Sequence, residues 1–308
     1  MPELIDVEPG SPEWLAARRA GVTATDIVTI LGLSRYDSQY SLFWRKLGQV
    51  PDAEDSDRFR LGRALQAYVS DRWCAERSPI LIRGGALWRH SDRSWQMATT
   101  DYEVGPPACP LECKTWADGD RHSWDDSPPP AVYAQVLWQM DVMGVAAGHV
   151  GVVFLPSGEF RSYVIEHEDE KTHLEFGRPG CPVCTDQDLM RRAGEEFMAR
   201  LRLELPPPDP DASMATLAAV RARFTRQPDK QAEVDAYAFQ QWADFKTAEK
   251  INADNARRFE IELREQAGEA SVYTVGGQPV ARRVIVDASV KAHKRHQDYL
   301  KRIEASGE

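Results

Sequence analysis

Glu112 and Lys114 lie one residue apart in the segment PLECKTW, residues 110–116. In a β-strand, residues two apart project from the same face, so these side chains would lie together while Leu111 and Cys113 point into a core. A carboxylate beside an ammonium suits chemistry on metal ions and phosphates. An ion pair with no further role is the alternative, and for this segment taken alone it is the commoner explanation.

A second carboxylate precedes this pair. Asp101 ends a predicted strand, and a turn region rich in Gly and Pro connects it to the strand that carries Glu112. Adjacent strands would bring both carboxylates within reach of one hard cation, which prefers oxygen ligands. The Cys113 carbonyl could supply a further oxygen, and Lys114 could hold the attacking water or offset charge on a phosphate.

The elements that would position these residues alternate between helices and strands. Short helices are predicted over SPEWLAARRAG, TATDIVTILG and SLFWRKL, and a longer one over FRLGRALQAYVSDRWCAE. Strands are predicted over ILIRGGALWRH, SWQMATTDYEV and PLECKTW, followed by the helix AVYAQVLWQMDVMG and two further strands. This order predicts an α/β fold with a mixed central β-sheet flanked by helices.

The C-terminal third changes character. Residues 205–213, LPPPDPDAS, predict a proline-rich linker between a domain of residues 1–204 and a C-terminal region of residues 214–308. In that region the pattern predicts a long helix over about residues 230–267, a hairpin within SVYTVGGQPVARRVIV and a basic helical tail. We therefore expect a mainly helical C-terminal extension that contains one hairpin.

Composition predicts a globular protein of the cytoplasm. No apolar run among the 308 residues approaches a membrane span, and the N-terminus lacks the features of a signal peptide. Five cysteines in a chain of this length are no disulfide framework, which agrees with a reducing compartment. The net charge of −10 argues against indiscriminate binding to polyanions, but a local basic groove would suffice for nucleic acid.

Cys181 and Cys184, in GCPVCTD, have the spacing of half a zinc or iron–sulfur site. No second pair follows, and the other cysteines lie far upstream. A turn with two incidental thiols is therefore the favoured interpretation, and whether the two cysteines bind a metal stays open.

Together these segments resemble the phage lambda exonuclease and YqaJ-like viral recombinase family. The similarity spans roughly residues 11–200, and its four motifs occur in the family's order: EWLAARRAGVTATDIVTILG, MATTDYEV, PLECKTW and YAQVLWQMDVMG. YVIEHEDE resembles the strand that follows. The resemblance implies the restriction-endonuclease-like core of the PD-(D/E)xK nuclease superfamily, and the order of the motifs is more specific than any one of them.

The resemblance assigns a role to each residue of the acidic motif. Asp101 and Glu112 would bind Mg²⁺, with Mn²⁺ as a substitute and the Cys113 backbone carbonyl as a further ligand. Lys114 would be the catalytic lysine. Gln135, on the helix of the fourth motif, would help to orient water or the phosphate, although a glutamine there could instead cap a strand edge.

The first motif implies a site for the 5′-phosphate of DNA. Arg19 would supply a guanidinium fork and Thr25 would stand at a helix N-terminus, where backbone donors favour anions. The alternatives are an ion pair between Arg19 and Glu13 and a capping role for Thr25. The chain departs from the family pattern at Gln66, the last residue of GRALQ, where the family has a glutamate. Gln66 offers an uncharged ligand, so the number of bound metals stays open.

The resemblance thus implies a metal-dependent DNA exonuclease that degrades one strand of linear duplex DNA, 5′ to 3′, in phage-type recombination. Double-stranded DNA ends would be its substrate, and a single-strand annealing or recombinase protein its partner. A ring-shaped homo-oligomer is also implied. Two alternatives are a weakly active or inactive DNA-end-binding recombination adaptor and an endonuclease on the same core.

Overall fold

The computed structural model describes the chain in two compact units, Met1–Arg226 and Gln227–Glu308. The described residues are 1–52, 56–77, 81–167, 181–224, 236–237, 240–241, 243–252, 272–275, 278–290 and 293–302. Within these ranges, no helix combines the length and the apolar character that crossing a bilayer requires.

Helices and strands alternate along the chain. The helices are α1 (Pro12–Arg19), α2 (Ala24–Ile30), α3 (Gln39–Lys46), α4 (Asp57–Arg77), α5 (Pro130–Met143), α6 (Pro182–Arg202) and α7 (Met214–Arg223), with a 3₁₀ helix over Asp118–Trp124. The strands are β1 (Glu3–Ile5), β2 (Leu81–Gly84), β3 (Leu87–Arg89), β4 (Met97–Thr99), β5 (Tyr102–Val104), β6 (Cys109–Ala117), β7 (Ala147–Leu155), β8 (Phe160–Glu166), β9 (Val272–Val275), β10 (Gln278–Val290) and β11 (His293–Arg302).

The first three helices begin at residues that capping favours. Ser11, Thr23 and Ser38 precede α1, α2 and α3, and each side-chain oxygen accepts a hydrogen bond from the backbone N–H three residues later. These bonds satisfy N–H groups that have no partner inside the helix. The helices predicted for this part of the sequence are therefore confirmed.

The central sheet is mixed. Its order is β2-β5-β6-β7-β8, and only β6 and β7 pair in parallel, with α5 as the connection between them. A smaller antiparallel sheet has the order β1-β3-β4. Helices pack against the central sheet, α4 and α5 among them. The predicted mixed sheet flanked by helices is confirmed.

Helix α5 lies close against β7 because a glycine makes room for it. A Cβ atom on Gly148 would lie 2.4 Å from Cγ1 of Val136 and 3.0 Å from Cγ of Met140, both on α5. Val136, Trp138 and Met140 are fully buried in the main core. This packing fixes the helix that carries Gln135 against the strands of the site.

The segment SWQMATTDYEV, predicted as one strand, is two strands in different sheets. It bends at Asp101, and ILIRGGALWRH bends beside it at Gly85, where φ is +70°. Gly85 donates its backbone N–H to the Asp101 carbonyl at 3.0 Å. Because a positive φ is readily accessible to glycine, Gly85 permits the bend that places Asp101 at the junction of the two sheets.

The proline-rich segment 205–213 does not separate α7 from the first unit. Thr216 donates from Oγ1 to the hydroxyl of Ser38 at 2.7 Å, and Arg223 donates to the hydroxyl of Tyr40 at 2.6 Å. These contacts dock α7 on α3, and α7 belongs to the compact unit Met1–Arg226.

The C-terminal part contains more strand than predicted. The predicted hairpin corresponds to β9 and β10, but the tail predicted as a basic helix forms β11, paired antiparallel with β10. Pairing with a long strand rich in Val and Ile overrides the weak helical pattern of the tail. Of the predicted helix over residues 230–267, residues 243–252 are helical, and most of the remainder lies outside the described residues.

Candidate active site

Asp101 and Glu112 come together where the chain leaves the small sheet after β4 and enters the central sheet as β5, which pairs with β6. The register pairs Tyr102 with Leu111, so Asp101 and Glu112 occupy the next opposed positions. The backbone N–H of Cys113 donates to Asp101 Oδ2 at 2.8 Å, which turns that carboxylate toward β6. The predicted convergence of the two acids on neighbouring strands is therefore present in the fold.

Glu112 is almost fully enclosed, with 2% of its surface exposed. Its Oε1 accepts hydrogen bonds from Lys114 Nζ at 2.5 Å and from Gln135 Nε2 at 2.6 Å. Lys114 Nζ also donates to Gln135 Oε1 at 2.9 Å. The glutamine thus bridges the two charged groups, and three of the sequence-predicted residues form one connected network.

Sequence reasoning missed a second glutamine on α5. Gln139 donates from Nε2 to Glu112 Oε2 at 2.7 Å and to the Thr99 carbonyl at 3.0 Å. It lies four residues after Gln135, and that spacing puts both amides on one face of the helix. The spacing was therefore the signal that could have identified Gln139.

The charges of this cluster do not balance. Burial, followed by the charge of Glu112, raises the pKa of Asp101 to about 7. Burial acts to lower the pKa of Lys114, but the charges of Glu112 and Asp101 outweigh it and the pKa is raised. Lys114 is therefore an ammonium at neutral pH, and two carboxyl groups share one positive partner.

The side chains of the acidic cluster offer oxygen ligands that suit a hard cation. Asp101 and Glu112 supply carboxylates, and among the described residues Gln139 Oε1 is buried without a hydrogen-bond partner. A cation, or a water that it holds, would satisfy both the excess negative charge and this acceptor. The residues present therefore fit a bound hard divalent cation.

Gln66 reaches the cluster from α4. Its Nε2 donates to Asp101 Oδ1 at 2.7 Å. A glutamate at this position would add a third carboxylate beside Asp101, whereas the amide adds none. The chain therefore keeps a single net negative charge over Asp101, Glu112 and Lys114 instead of two.

The structure brings Arg18, not Arg19, to Thr25. Arg18 donates from Nη2 to Thr25 Oγ1 at 3.2 Å and stacks on Trp14, whose ring centroid lies 4.2 Å from its guanidinium carbon. Arg19 instead points away and pairs with Asp52 at 2.9 Å. Neighbouring residues of a helix point about 100° apart, so only one of the two arginines can face Thr25, and that arginine is Arg18.

Thr25 does not cap α2. That role belongs to Thr23, which forms a reciprocal pair with Asp26, while the Thr25 hydroxyl lies 3.0 Å from that of Thr23. Thr25 is exposed in the first turn of the helix. The hydroxyl of Thr25 and the guanidinium of Arg18 are thus both placed to meet an anion at this helix N-terminus.

The part of the chain that holds this cluster is similar to known proteins. Residues 13–146 match the family model of the YqaJ-like viral recombinase domain. A curated relative, the uncharacterized protein YqaJ of Bacillus subtilis (strain 168), is 29% identical over 167 residues. That alignment covers 53% of this chain and 52% of the relative, so the chain spans about half the length of the curated relative that it matches.

Two exonucleases are among the similar solved structures. The alkaline exonuclease LHK-Exo from Laribacter hongkongensis has a TM-score of 0.43 and 19% identity, covering 63% of this chain and 97% of that one. A phage related exonuclease from Haemophilus somnus 129PT has a TM-score of 0.41 and 12% identity, covering 60% and 96%. The match to the YqaJ-like viral recombinase domain includes Asp101, Glu112, Lys114 and both α5 glutamines, so the acidic cluster lies within the part of the chain that is similar to this family.

Proposed function

We propose that the chain is a metal-dependent exonuclease that degrades one strand of linear duplex DNA. The observation that carries this proposal is that Asp101 lies opposite Glu112 on the neighbouring strand, beside the hydrogen-bonded network of Glu112, Lys114 and Gln135, so two acids share a single ammonium. A structural ion pair needs no second buried acid. The similarity of residues 13–146 to the YqaJ-like viral recombinase domain supports a role in DNA recombination.

Each residue has a distinct part in this proposal. Asp101 and Glu112, with the Cys113 carbonyl, would hold Mg²⁺, which would activate water and offset charge on the phosphate. Lys114 is a permanent donor because its pKa is raised, and it would stabilise the charge that develops on the phosphodiester rather than remove a proton. Its side chain keeps 24% of its surface exposed, so the cluster is open to a substrate.

The two α5 glutamines orient the charged groups. Gln139 holds one oxygen of Glu112, and Gln135 joins the other oxygen to Lys114. Both amides lie on a helix that is packed tightly against β7. Such a fixed arrangement suits in-line attack of water on a phosphodiester, because little reorganisation is needed at the moment of reaction.

Linear and covalently closed duplexes separate the three functions considered. With Mg²⁺, the exonuclease should release nucleotides from 5′-phosphorylated linear DNA and leave closed circles intact, and EDTA should stop it. Retention of a 3′ end label while a 5′ label is released early would establish the 5′ to 3′ direction. Cleavage of circles would instead indicate an endonuclease, and binding of ends without cleavage would indicate the adaptor, with Gln66 marking lost activity.

We propose further that Arg18 and Thr25 bind the 5′-phosphate. Arg18 contacts Thr25, which supports Arg18 as the phosphate-binding arginine in place of Arg19. Arg18→Ala should remove the preference for 5′-phosphate over 5′-hydroxyl ends, roughly a tenfold effect if one charge-assisted bond is lost. Arg19→Ala is the matched control and should keep the preference. Equal losses in both variants, or a loss in Arg19→Ala alone, would contradict this assignment.

The single strand left by this reaction would pass to an annealing or recombinase protein, and a homo-oligomeric ring would keep the enzyme on its substrate. Size-exclusion chromatography with light scattering tests the ring, which predicts one discrete species larger than the 34.7 kDa monomer. A monomer at assay concentrations would remove the ring from the proposal.

A further inference from the structure

The end of β8 and the start of α6 hold a second group of metal-ligating side chains. His167 follows β8 directly, and its backbone N–H donates to the Ala146 carbonyl at 3.1 Å. Cys181 is the residue that caps α6, and Cys184 lies within the first turn of that helix. The fold thus adds a histidine to the Cys-x-x-Cys pair, and no sequence pattern placed it there.

The three side chains converge on one point. His167 Nδ1 lies 3.6 Å from Cys181 Sγ and 3.7 Å from Cys184 Sγ, and all three ligand atoms lie within 4.8 Å of one another. Tetrahedral zinc, with Zn–S of about 2.3 Å and Zn–N of about 2.05 Å, separates a nitrogen ligand from a sulfur ligand by about 3.6 Å. Both observed separations match that geometry.

Hydrogen bonding accounts for this arrangement less well. A neutral imidazole offers at Nδ1 either one lone pair or one N–H, so it forms one good bond there and not two. Yet two sulfurs lie at nearly equal distance from that one atom. No disulfide joins Cys181 and Cys184. A shared cation explains the symmetry because each ligand then contacts the ion instead of its neighbour.

We propose that His167, Cys181 and Cys184 bind Zn²⁺. Thiolate and imidazole ligands select zinc over the hard cations that suit the carboxylates of Asp101 and Glu112. Binding releases the two thiol protons, and the fourth position of the tetrahedron is left to water or another donor. His167 and Cys181 are buried, at 6% and 4% exposure, whereas Cys184 is half-buried.

The position of the ion gives it a structural role. It joins the edge strand β8 to the start of α6, and α6 packs against α5, the helix of Gln135 and Gln139. Zinc would therefore hold α6 in place behind the helix that orients the acidic cluster. The site is separate from the proposed nuclease chemistry, so the two can be tested independently.

The experiment uses the full chain, purified without chelator and then loaded with Zn²⁺. Mass spectrometry of the metal content should give about one Zn²⁺ per chain, and Co²⁺ in its place should show a thiolate-to-cobalt charge-transfer band. Cys184→Ser and His167→Ala should each lower the zinc content at least about fivefold. Cys74→Ser, which changes a half-buried cysteine of α4, should keep it.

Glu112→Gln should also retain zinc, which separates this proposal from the nuclease function. Less than about 0.1 Zn²⁺ per wild-type chain after loading would overturn the zinc site. So would equal zinc in wild type and in folded Cys184→Ser, or the absorption of an iron–sulfur cluster in place of zinc. The zinc content and the cobalt spectrum are measured on the wild-type chain. The test therefore remains decisive even if a variant fails to fold.

Discussion

Two buried acidic clusters in this chain differ in how their charge is neutralised. At the first, Asp101 and Glu112 share the single ammonium of Lys114. At the second, Asp141 on α5 accepts hydrogen bonds from Arg191 at 2.7 and 2.9 Å and from Arg93 at 3.3 Å. With both acids ionised, the first cluster has two carboxylates for one ammonium, whereas Asp141 has two guanidinium partners.

The pKa values follow the same contrast. Burial and the charge of Glu112 raise the pKa of Asp101 to about 7. Burial acts to raise the pKa of Asp141 as well, but hydrogen bonds from Arg191 and Gln96 outweigh it, and this pKa is lowered. A carboxylate that is fully compensated by guanidinium groups stabilises the fold. Carboxylates left with excess negative charge are suited to take up a cation from solution.

The largest expected effect is on activity. Glu112→Gln should lower the rate of DNA hydrolysis by about 10³-fold or more, because it removes a charge that the bound metal and Lys114 both require. The rate of nucleotide release from linear duplex at saturating Mg²⁺ measures this. Asp141→Asn is the control and should keep the rate per folded molecule within about threefold. Comparable losses in the two variants would mean that the clusters are not functionally distinct.

The second prediction concerns stability, for which Asp141 should matter more than an exposed acid does. Asp141→Asn should lower the free energy of unfolding by about 3 kcal/mol, because Arg93 and Arg191 would lose their buried partner. Urea denaturation monitored by circular dichroism measures it. Asp188→Asn is the matched control, since Asp188 is an exposed partner of the same Arg191, and it should cost less than about 1 kcal/mol. Equal destabilisation by both variants would show that the burial of Asp141 does not increase its contribution to the free energy of unfolding.

The third prediction concerns how the free energy of unfolding depends on pH. EDTA is present so that no metal occupies the acidic cluster. Between about pH 4 and pH 7 the folded state holds a proton on Asp101 that the unfolded state has lost, so Asp101 makes stability fall as pH rises through this range. Asp141 acts in the opposite direction and below this range: because its pKa is lowered in the folded state, its contribution to stability is lost as pH falls below about 4. Urea unfolding across pH should therefore show a falling limb that Asp101→Asn flattens. A falling limb unchanged in Asp101→Asn would refute this account.

The smallest effect concerns Gln66. Gln66→Glu adds a third carboxylate beside Asp101 and should tighten Mg²⁺ binding roughly fivefold to tenfold, as ligand charge increases. Isothermal titration calorimetry measures it. Gln96→Glu makes the same change beside Asp141, where two guanidinium groups already supply positive charge, and should leave Mg²⁺ binding unchanged. An equal gain in both variants would show that added charge alone, without the cluster, attracts the ion.

Much of the acidic site could be predicted from the sequence. The alternation of a strand puts Glu112 and Lys114 on one face, and the Gly and Pro between Asp101 and Glu112 indicate that the two strands are neighbours. These signals are local, because strand periodicity and turn chemistry depend on residues close in sequence. The capping residues of α1, α2 and α3 belong to the same class.

Other features of the molecule depend on contacts between segments that are distant in sequence. Arg93 and Asp141 are 48 residues apart, and Asp141 and Arg191 are 50 apart, so no local pattern pairs them. The choice of Arg18 over Arg19 depends on which face α1 turns toward α2, and His167 meets Cys181 across 14 residues. Such pairs follow from packing, which is set by the whole core rather than by spacing.

By itself the sequence determined which residue types could do chemistry, the order of the helices and strands, and the family resemblance. Tertiary structure alone decided the compensation of charge: which acids receive guanidinium partners, which are left with a single lysine, and which cysteines gain a histidine. The reason is physical. Electrostatic energy depends on distance and burial in three dimensions, and neither is a property of spacing along the chain.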